Sequence, residues 1–122
     1  MPTIAFSLPV AGGKTPVFRA AHRRFAVERR SEFEASRRRL GVTAERGYLQ
    51  TTPAGDIAVV VFEVSDPARL FAEAATSAAA IDVDFRAYLL DVFSLDLTGG
   101  PPAAVSEQVF EWVADGAAPR HG

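Results

Sequence analysis

The hydrophobic and polar positions near the N-terminus alternate with a period of two. From Thr3 to Val10 every second residue is a large apolar one, beginning with Ile4, and this pattern predicts a β-strand. Pro9 places the end of that strand at a sheet edge or exit. Gly12 and Gly13 then interrupt the pattern, so we expect the chain to leave the sheet there.

A long helical pattern follows. Thr15 offers an N-cap hydroxyl, Pro16 suits the first helical position, and Gly41 suits the position just after the last turn. These signals predict a helix of about 25 residues, or about 37 Å. Its apolar stripe steps by three and four residues, with polar interruptions at His22, Arg29 and Ser36. The whole stripe is Phe18, His22, Phe25, Arg29, Phe33, Ser36 and Leu40.

The rest of the chain predicts further strands, turns and helices. In order they are a weak strand over Val42–Gln50, a turn over Thr52–Asp56, a strand over Ile57–Val64, a helix from Asp66 to Ala80, a turn or helix after Asp82, and a last strand over Glu107–Ala114. The predicted order is therefore β-α-β-β-α-β, the ferredoxin-like arrangement of an α+β protein. We expect an antiparallel sheet with helices on one face, one domain over residues 1–114, and a flexible tail over residues 115–122.

The strand Ile57–Val64 is apolar on both faces, and Glu63 alone breaks that pattern. An antiparallel sheet with helices on one face normally alternates apolar and polar positions. The pattern therefore predicts that a second copy of the chain covers the other face, since a large exposed apolar patch is disfavoured. The alternative is that the C-terminal segment folds back over that face.

Composition narrows the class of protein. The chain has 122 residues, of which 48% are hydrophobic and 23% charged, values typical of one globular domain. There is no cysteine, which excludes disulfides and thiolate chemistry. No apolar run is long enough to span a membrane, and no basic region precedes the first apolar stretch. We therefore expect no membrane association, no signal peptide and a cytoplasmic location.

Charge is distributed unevenly along the chain. Residues 1–41 carry nine basic and three acidic residues, a net charge of +6, whereas the remainder carries four basic and twelve acidic residues, a net charge of −8. The two parts can meet as surface ion pairs within one chain, across a subunit contact, or at an anionic ligand. A solvated helix face with complementary pairs is the simplest of these readings.

Three segments carry a resemblance to known proteins. They are the Pro-Val-Ala-Gly-Gly-Lys-Thr stretch at 9–15, the stretch from Glu28 to Gly41, and the Thr-Pro-Ala-Gly-Asp hairpin at 52–56. Together they resemble a group of short hypothetical proteins that is similar to part of the dimeric α+β barrel superfamily, the broad fold of the antibiotic-biosynthesis monooxygenases. The resemblance spans roughly residues 3–98 and carries no motif for one chemistry.

The resemblance implies a homodimer with a ligand between the helices and the sheet of each monomer. The superfamily includes cofactor-independent monooxygenases, haem-degrading enzymes, polyketide cyclases, muconolactone isomerases and proteins with no known activity. No motif in the chain points to a particular cofactor, so none is predicted.

Two common nucleotide-binding readings are disfavoured. Gly12-Gly13-Lys14-Thr15 ends like a phosphate-binding loop, but the glycine that the motif requires at position 8 is a leucine. RNA-recognition domains share the predicted strand order, yet the strand Ile57–Val64 has one aromatic residue and no basic-Gly-aromatic signature. We therefore expect no nucleic-acid partner.

Three residues are candidates for catalysis. His22 and Arg29 are two turns apart on one predicted helix face, so their side chains can converge on one point above the sheet. A histidine can act as acid or base, an arginine can hold a carboxylate, phenolate or enolate, and Tyr48 can donate to an oxyanion. The competing interpretation pairs Arg29 with Glu32 and leaves His22 at the edge of the stripe. A lone histidine with no carboxylate at ligand spacing predicts no metal site.

Four further residues are candidates for ligand binding. Phe62 and Trp112 are aromatic residues expected to line an apolar pocket, and Arg86 and Trp112 can donate hydrogen bonds there. Glu63 either faces that pocket as a base or meets an arginine across the dimer contact, and the second is preferred. Core packing of the aromatic rings and a solvated Arg86 are the competing interpretations.

Two functions follow from these expectations. The first is a cofactor-independent monooxygenase-like or cyclase-like protein that binds a small aromatic or polyketide-like molecule between helices and sheet. The second is a binding or regulatory module without catalysis. The sequence does not identify the ligand.

Overall fold

The structure is a computed structural model, and it describes residues 2–102 and 105–116. Its strands are β1 (Thr3–Pro9), β2 (Val42–Thr52), β3 (Gly55–Val64) and β4 (Val105–Ser106). Its helices are α1 (Thr15–Ala21), a π-helix (His22–Val27), α2 (Arg30–Arg39), α3 (Pro67–Thr76), α4 (Ala80–Phe93) and a short 3₁₀ helix (Leu97–Gly99). Of the predicted tail over residues 115–122, the part from residue 117 onward lies outside the described residues.

The strands form one four-stranded sheet in the order β2-β3-β1-β4, with every neighbouring pair antiparallel. The α+β class and the antiparallel sheet are therefore confirmed. Residues directly opposite each other share a face, so the register of Phe6 with Val60 and of Val60 with Gly47 places these three positions on one face. That face packs against the helices, because Phe6 belongs to the buried core and Val60 packs against it.

The opposite face of the sheet, here called the outer face, carries the alternate positions. Val59 is directly opposite Ser7 on one side and Tyr48 on the other. Ile57, Val59 and Val61 are half-buried, and none of them belongs to a core cluster of the described residues. The predicted two-sided apolar character of β3 is therefore present, with one side against the helices and the other on the outer face.

The last predicted strand, Glu107–Ala114, is wrong. The pairing with β1 stops after Val105 opposite Phe6 and Ser106 opposite Ala5, and residues 107–114 have no regular secondary structure. Continuing that register would place Val109 opposite Pro2, which lies outside β1. In this register β1 offers partners only up to residue 108, so most of the predicted strand has nothing in β1 to pair with. Val109, Phe110 and Trp112 are 84%, 83% and 77% exposed, so the alternative in which this segment folds back over the sheet is also wrong.

The single long helix predicted after Pro16 is interrupted. Residues 22–27 are a π-helix, marked by the Glu28 N–H donating to the Arg23 carbonyl at 2.8 Å, and Arg29 has non-helical backbone angles of φ −119° and ψ 40°. Because a π turn is wider than an α-helical turn, His22 and Phe25 no longer share one buried face. His22 is exposed, whereas Phe25 is only 1% exposed. Gly41 does follow the last helical turn with a positive φ of 74°, as predicted.

The second helical region also differs in detail. Asp66 caps α3 as its pattern indicates, since its Oδ1 accepts from the Arg69 N–H at 3.2 Å. α4 begins at Ala80, so Asp82 lies inside its first turn and does not cap it. Asp82 is instead buried, with 4% of its surface exposed.

The core consists of two separate buried clusters between the sheet and the helices. The first is Phe6, Leu40, Val42, Phe62, Val64 and Leu70, beside α3. The second is Phe25, Ala58, Ile81, Tyr88, Val92 and Phe93, beside α4. Leu8 and Val60 pack against both clusters, and the space between the two clusters is the site described next.

Candidate functional site

A cavity of about 570 Å³ lies between the helical layer and the sheet. Its floor is the helix-facing side of β1 and β3, and its walls are aromatic rings from the π-helix, α2, α3 and α4. The aromatic lining comprises Phe6, Phe18, Phe25, Phe33, Phe62, Phe71, Phe85, Tyr88 and Phe93. Protein interiors are normally packed without voids much larger than a water molecule, so a space of this size is a feature of the fold.

Glycine in the middle of β2 helps to shape this space. Gly47 faces the helices opposite Val60, and a Cβ placed on it would lie 3.8 Å from the Phe18 ring. A glycine inside a strand pattern weakens it, which is why the strand predicted over Val42–Gln50 is a weak one. In the structure β2 continues through Gly47, and only a side chain larger than a methyl group would press on the Phe18 ring.

One wall of the cavity holds an ion pair surrounded by rings. The Arg37 guanidinium lies 4.1 Å from the Phe33 ring centroid and 4.4 Å from that of Phe85. Its Nε and Nη2 donate to the two carboxylate oxygens of Glu45 at 2.7 and 3.2 Å. The Arg37 and Glu45 side chains are only 12% and 21% exposed, so the two charges compensate each other in a partly desolvated position.

A second acidic group beside the cavity is fully engaged. The Asp82 carboxylate accepts hydrogen bonds from the Ser36 and Ser77 hydroxyls, each at 2.5 Å, and from Arg39 Nη1 at 3.0 Å. Burial raises the pKa of Asp82, but the hydrogen bonds from both serines and Arg39, together with the Arg39 charge, outweigh it and lower the pKa below its usual value. Asp82 is therefore an ionised structural anchor.

Three lining residues of the π-helix and α4 retain donor capacity, and the exposed Arg19 and Arg46 also line the cavity without a carboxylate partner among the described residues. Arg86 Nη1 donates to the Ala74 carbonyl at the end of α3 at 2.7 Å, and that is its single hydrogen bond among the described residues. His22 and the Tyr88 hydroxyl have no hydrogen-bond partner in the described part of the chain. Burial and the nearby Glu45 carboxylate raise the pKa of Tyr88 to about 12, although Arg24 opposes this. Tyr88 is thus a neutral donor at physiological pH.

Three of the predicted site residues line the cavity, namely His22, Phe62 and Arg86. His22 is exposed at its rim, Phe62 is buried in its floor, and Arg86 is half-buried. Arg86 is therefore not the solvated surface arginine of the competing interpretation. The roles proposed for these three residues remain predictions.

Arg29 is not brought together with His22 in the cavity lining. Its guanidinium donates to Asp84 at 2.6 Å and to the two Glu32 oxygens at 3.1 and 2.8 Å. The hydrogen bonds to Glu32 and Asp84 raise the pKa of Arg29 further above its ordinary value. The predicted pairing with Glu32 is present, and two carboxylates compete with any ligand anion at this position.

The other three predicted site residues lie elsewhere. Tyr48 and Glu63 are on the outer face of the sheet, Tyr48 opposite Val59 and 53% exposed, Glu63 opposite Thr3. Trp112 is in the exposed segment after β4. The structure therefore separates Tyr48 from His22 by the thickness of the sheet, and it brings neither Glu63 nor Trp112 to the cavity.

Sequence reasoning missed Arg37, Glu45 and Asp82. Ser36 was a visible signal, since a serine in an apolar stripe needs a polar partner. Glu45 was another, because it shares the parity of the helix-facing Leu49 in an alternating strand. Neither signal identifies the partner, which lies on a different element in each case.

Within residues 2–102 and 105–116, no group of three or more histidine, aspartate or glutamate side chains is placed to hold a metal ion. No helix in those same ranges combines the length and apolar character needed to cross a membrane. No family model, curated protein or solved structure matches the chain.

Proposed function

We propose that the protein binds a small, largely aromatic molecule in the cavity between its helices and its sheet. The observation that carries this proposal is the aromatic lining of a space of about 570 Å³ in a chain of 122 residues. Binding sites for small molecules have this size and character, with apolar walls and a few placed polar groups. The three donors Arg86, Tyr88 and His22 supply those polar groups.

We also propose that the sheet and helices have a ferredoxin-like arrangement and that two chains form a homodimer. The strand order β2-β3-β1-β4 with all pairs antiparallel supports a ferredoxin-like arrangement. The half-buried valines and isoleucine of the outer face support a homodimer of the α+β barrel type, because a second sheet would remove them from water. The helices of residues 2–102 and 105–116 all pack against the other face, so none of them covers this one.

A cavity-filling substitution tests the binding proposal. Ala74 lines the cavity, whereas Ala72 on the same helix is exposed. We expect 2-naphthol to raise the melting temperature of the wild type and of Ala72→Phe, and to have no effect on Ala74→Phe, whose added ring occupies the space. Equal shifts for all three proteins would place binding outside the cavity and contradict the proposal.

A catalytic version is the second candidate, and the donors without partners favour it. A neutral Tyr88 and an exposed His22 at one cavity can stabilise an oxyanion and exchange a proton, as a cofactor-independent monooxygenase-like or cyclase-like protein requires. The alternative is a binding or regulatory module.

Incubating 1-naphthol with the wild type, Tyr88→Phe and His22→Gln, with and without air, separates the catalytic function from the binding module. A product that depends on either side chain supports catalysis, and unchanged naphthol supports the binding module.

A further inference from the structure

The polar groups of the cavity divide unequally into donors and acceptors. Both carboxylates, Glu45 and Asp82, are occupied by arginine and serine partners. Arg86 uses one of its N–H groups on a carbonyl, and Tyr88 and His22 use none among the described residues. An arginine has five N–H donors. The polar side-chain groups of this cavity that still lack partners are therefore almost entirely hydrogen-bond donors.

The charges point in the same direction. Arg37 is compensated by Glu45, and Asp82 is compensated by Arg39. No carboxylate within the described ranges pairs with the lining residues Arg19, Arg46 and Arg86, and of these three only Arg86, on α4, is half-buried. A partly desolvated cation without a counter-ion is unfavourable, and an anionic ligand would supply the missing charge.

From these donors and charges we infer that the ligand of the cavity is an aromatic anion whose carboxylate or phenolate group lies against Arg86, with the Tyr88 hydroxyl as a second donor in the same lining. This inference rests on the proposed binding function and adds the chemical class of the ligand. Amines and other cations are disfavoured as ligands, because Arg86 already brings an uncompensated positive charge to the cavity. Hydrogen bonds to an ionised oxygen are shorter and stronger than neutral ones.

A pair of ligands of equal size tests the inference. 2-Naphthoate and 2-naphthamide differ mainly in charge, so calorimetric titration of both isolates the contribution of the anion. We expect 2-naphthoate to bind about tenfold more tightly than the amide. Arg86→Gln should reduce the affinity for 2-naphthoate to that for the amide and leave the amide unchanged. Arg30→Gln is the matched control, since Arg30 pairs only with exposed Glu34 among the described residues.

The outcomes separate the two proposals. Equal affinity for acid and amide in the wild type overturns the anion inference and leaves the binding function intact. No binding of either compound overturns both. Because Arg86 also caps the end of α3, Tyr88→Phe provides a second variant that keeps this contact. A preference for the acid that survives both substitutions contradicts the assignment to Arg86 and Tyr88.

A second, independent observation concerns the segment after β4. Residues 107–114, here called the C-terminal arm, are exposed or nearly so and form no strand. Their sequence alternates, with Phe110 and Trp112 on one side and Val109 and Val113 on the other. Exposed large apolar side chains on both sides of an extended segment are typical of a strand that lacks its neighbours.

The sheet has a free edge that fits such a strand. β2 is an edge strand of eleven residues, so its outward backbone groups have no partner in the sheet. The arm cannot reach this edge within its own chain by continuing its register, because β4 lies at the opposite edge. The charges are complementary, since the arm carries Glu107 and Glu111 and the exposed residues of β2 include the basic Arg46.

We propose that the arm of one copy adds to the β2 edge of a second copy. Each chain then gives one arm and receives one arm, so the exchange closes as a symmetric dimer. Main-chain hydrogen bonds along the edge supply affinity. The same exchange removes Phe110 and Trp112 from water.

The only tryptophan of the chain reports on this exchange. We expect light scattering to give a dimer and Trp112 emission to shift to longer wavelength when dilution dissociates it. Phe110→Asp should weaken the dimer at least tenfold, whereas Leu90→Asp, at a residue 56% exposed on α4, should not. We expect the amides of Val42–Thr52 to exchange with deuterium more slowly in the wild type than in Phe110→Asp. A dimer whose Trp112 emits as in water at every concentration, or a monomer throughout, would overturn this proposal.

Discussion

At the scale of single residues, Ser36 connects the two polar groups of the cavity wall. Its hydroxyl donates to the buried Asp82 carboxylate and accepts from Arg37 Nη1 at 3.1 Å. Ser36 has no exposed surface, so removing the hydroxyl leaves both partners with an unmet requirement. Leaving a buried polar group without its partner lowers the stability of the fold by more than an average hydrogen bond contributes to it.

We therefore expect Ser36→Ala to lower the free energy of unfolding by about 1–3 kcal/mol. Ser31→Ala is the matched control, because Ser31 is exposed on the same helix. Urea denaturation of the three proteins provides the measurement. Equal stability of Ser36→Ala and Ser31→Ala would mean that the Asp82 network does not stabilise the fold.

The pKa of Asp82 gives a pH dependence of known sign. Because the folded-state pKa lies below the usual value of 3.8, the unfolded chain binds the proton more readily. The stabilisation is therefore complete well above pH 4 and is lost as the pH falls through the folded-state pKa. We expect Asp82→Asn to be less stable than the wild type at pH 7, with a gap that narrows below pH 4 in denaturation curves. A gap that widens in acid would contradict the assigned direction.

The candidate site could be predicted from the sequence only in part. Alternation along β3 places Phe62 in the cavity floor, whereas His22 and Arg86 were chosen for their chemistry and also line the cavity, His22 as an exposed residue at its rim. Arg29 looked equally suitable, but its partner Asp84 is 55 positions away, and no local pattern predicts which carboxylate reaches it. Arg37 and Glu45 were missed for the same reason.

At the scale of elements, Gly41 determines how α2 ends and β2 begins. Its φ of 74° is in the left-handed region, which costs other residues about 1–2 kcal/mol. A Cβ on Gly41 would also collide with the Ser65 hydroxyl, which would have to rotate away. The backbone at the turn between α2 and β2 therefore requires glycine at position 41.

We expect Gly41→Ala to lower the free energy of unfolding by about 1–2 kcal/mol. Gly12→Ala serves as the control, because Gly12 has no positive φ and no atom within 4 Å of the added Cβ. Thermal and urea unfolding should leave this control unchanged or slightly stabilised. Comparable losses in the two variants would show that the left-handed conformation is not the cause.

Helix boundaries that one local residue determines were easier to predict than the continuation of a helix or strand. Pro16, Asp66 and Gly41 act locally, through ring geometry, a capping carboxylate and positive φ, so their patterns sufficed. The π-helix at His22–Val27 and the end of β4 at Ser106 depend on partners far along the chain. In the register of β4, β1 offers no partner beyond residue 108, which alternation within 107–114 does not reveal.

At the scale of the whole molecule, the uneven charge distribution is largely resolved within one chain. Four ion pairs of the described residues join the basic N-terminal part to the acidic remainder: Lys14–Asp91, Arg29–Asp84, Arg37–Glu45 and Arg39–Asp82. These pairs hold α1, α2 and the turn before α2 against β2 and α4. Of the three ways in which the two parts of the chain can meet, ion pairing within one chain is therefore observed for these four pairs.

The proposed dimer leads to a prediction for the outer face of the sheet. Val59 lies between Ser7 and Tyr48 on that face, so a carboxylate there would be buried without a partner if a second sheet covers it. We expect Val59→Glu to be a monomer by light scattering at concentrations where the wild type is a dimer, with an unchanged circular dichroism spectrum. Val83→Glu, at an exposed valine on α4, should remain a dimer. If Val59→Glu dimerises as the wild type does, the outer face remains in water and the barrel-type arrangement is wrong, whatever the C-terminal arm contacts.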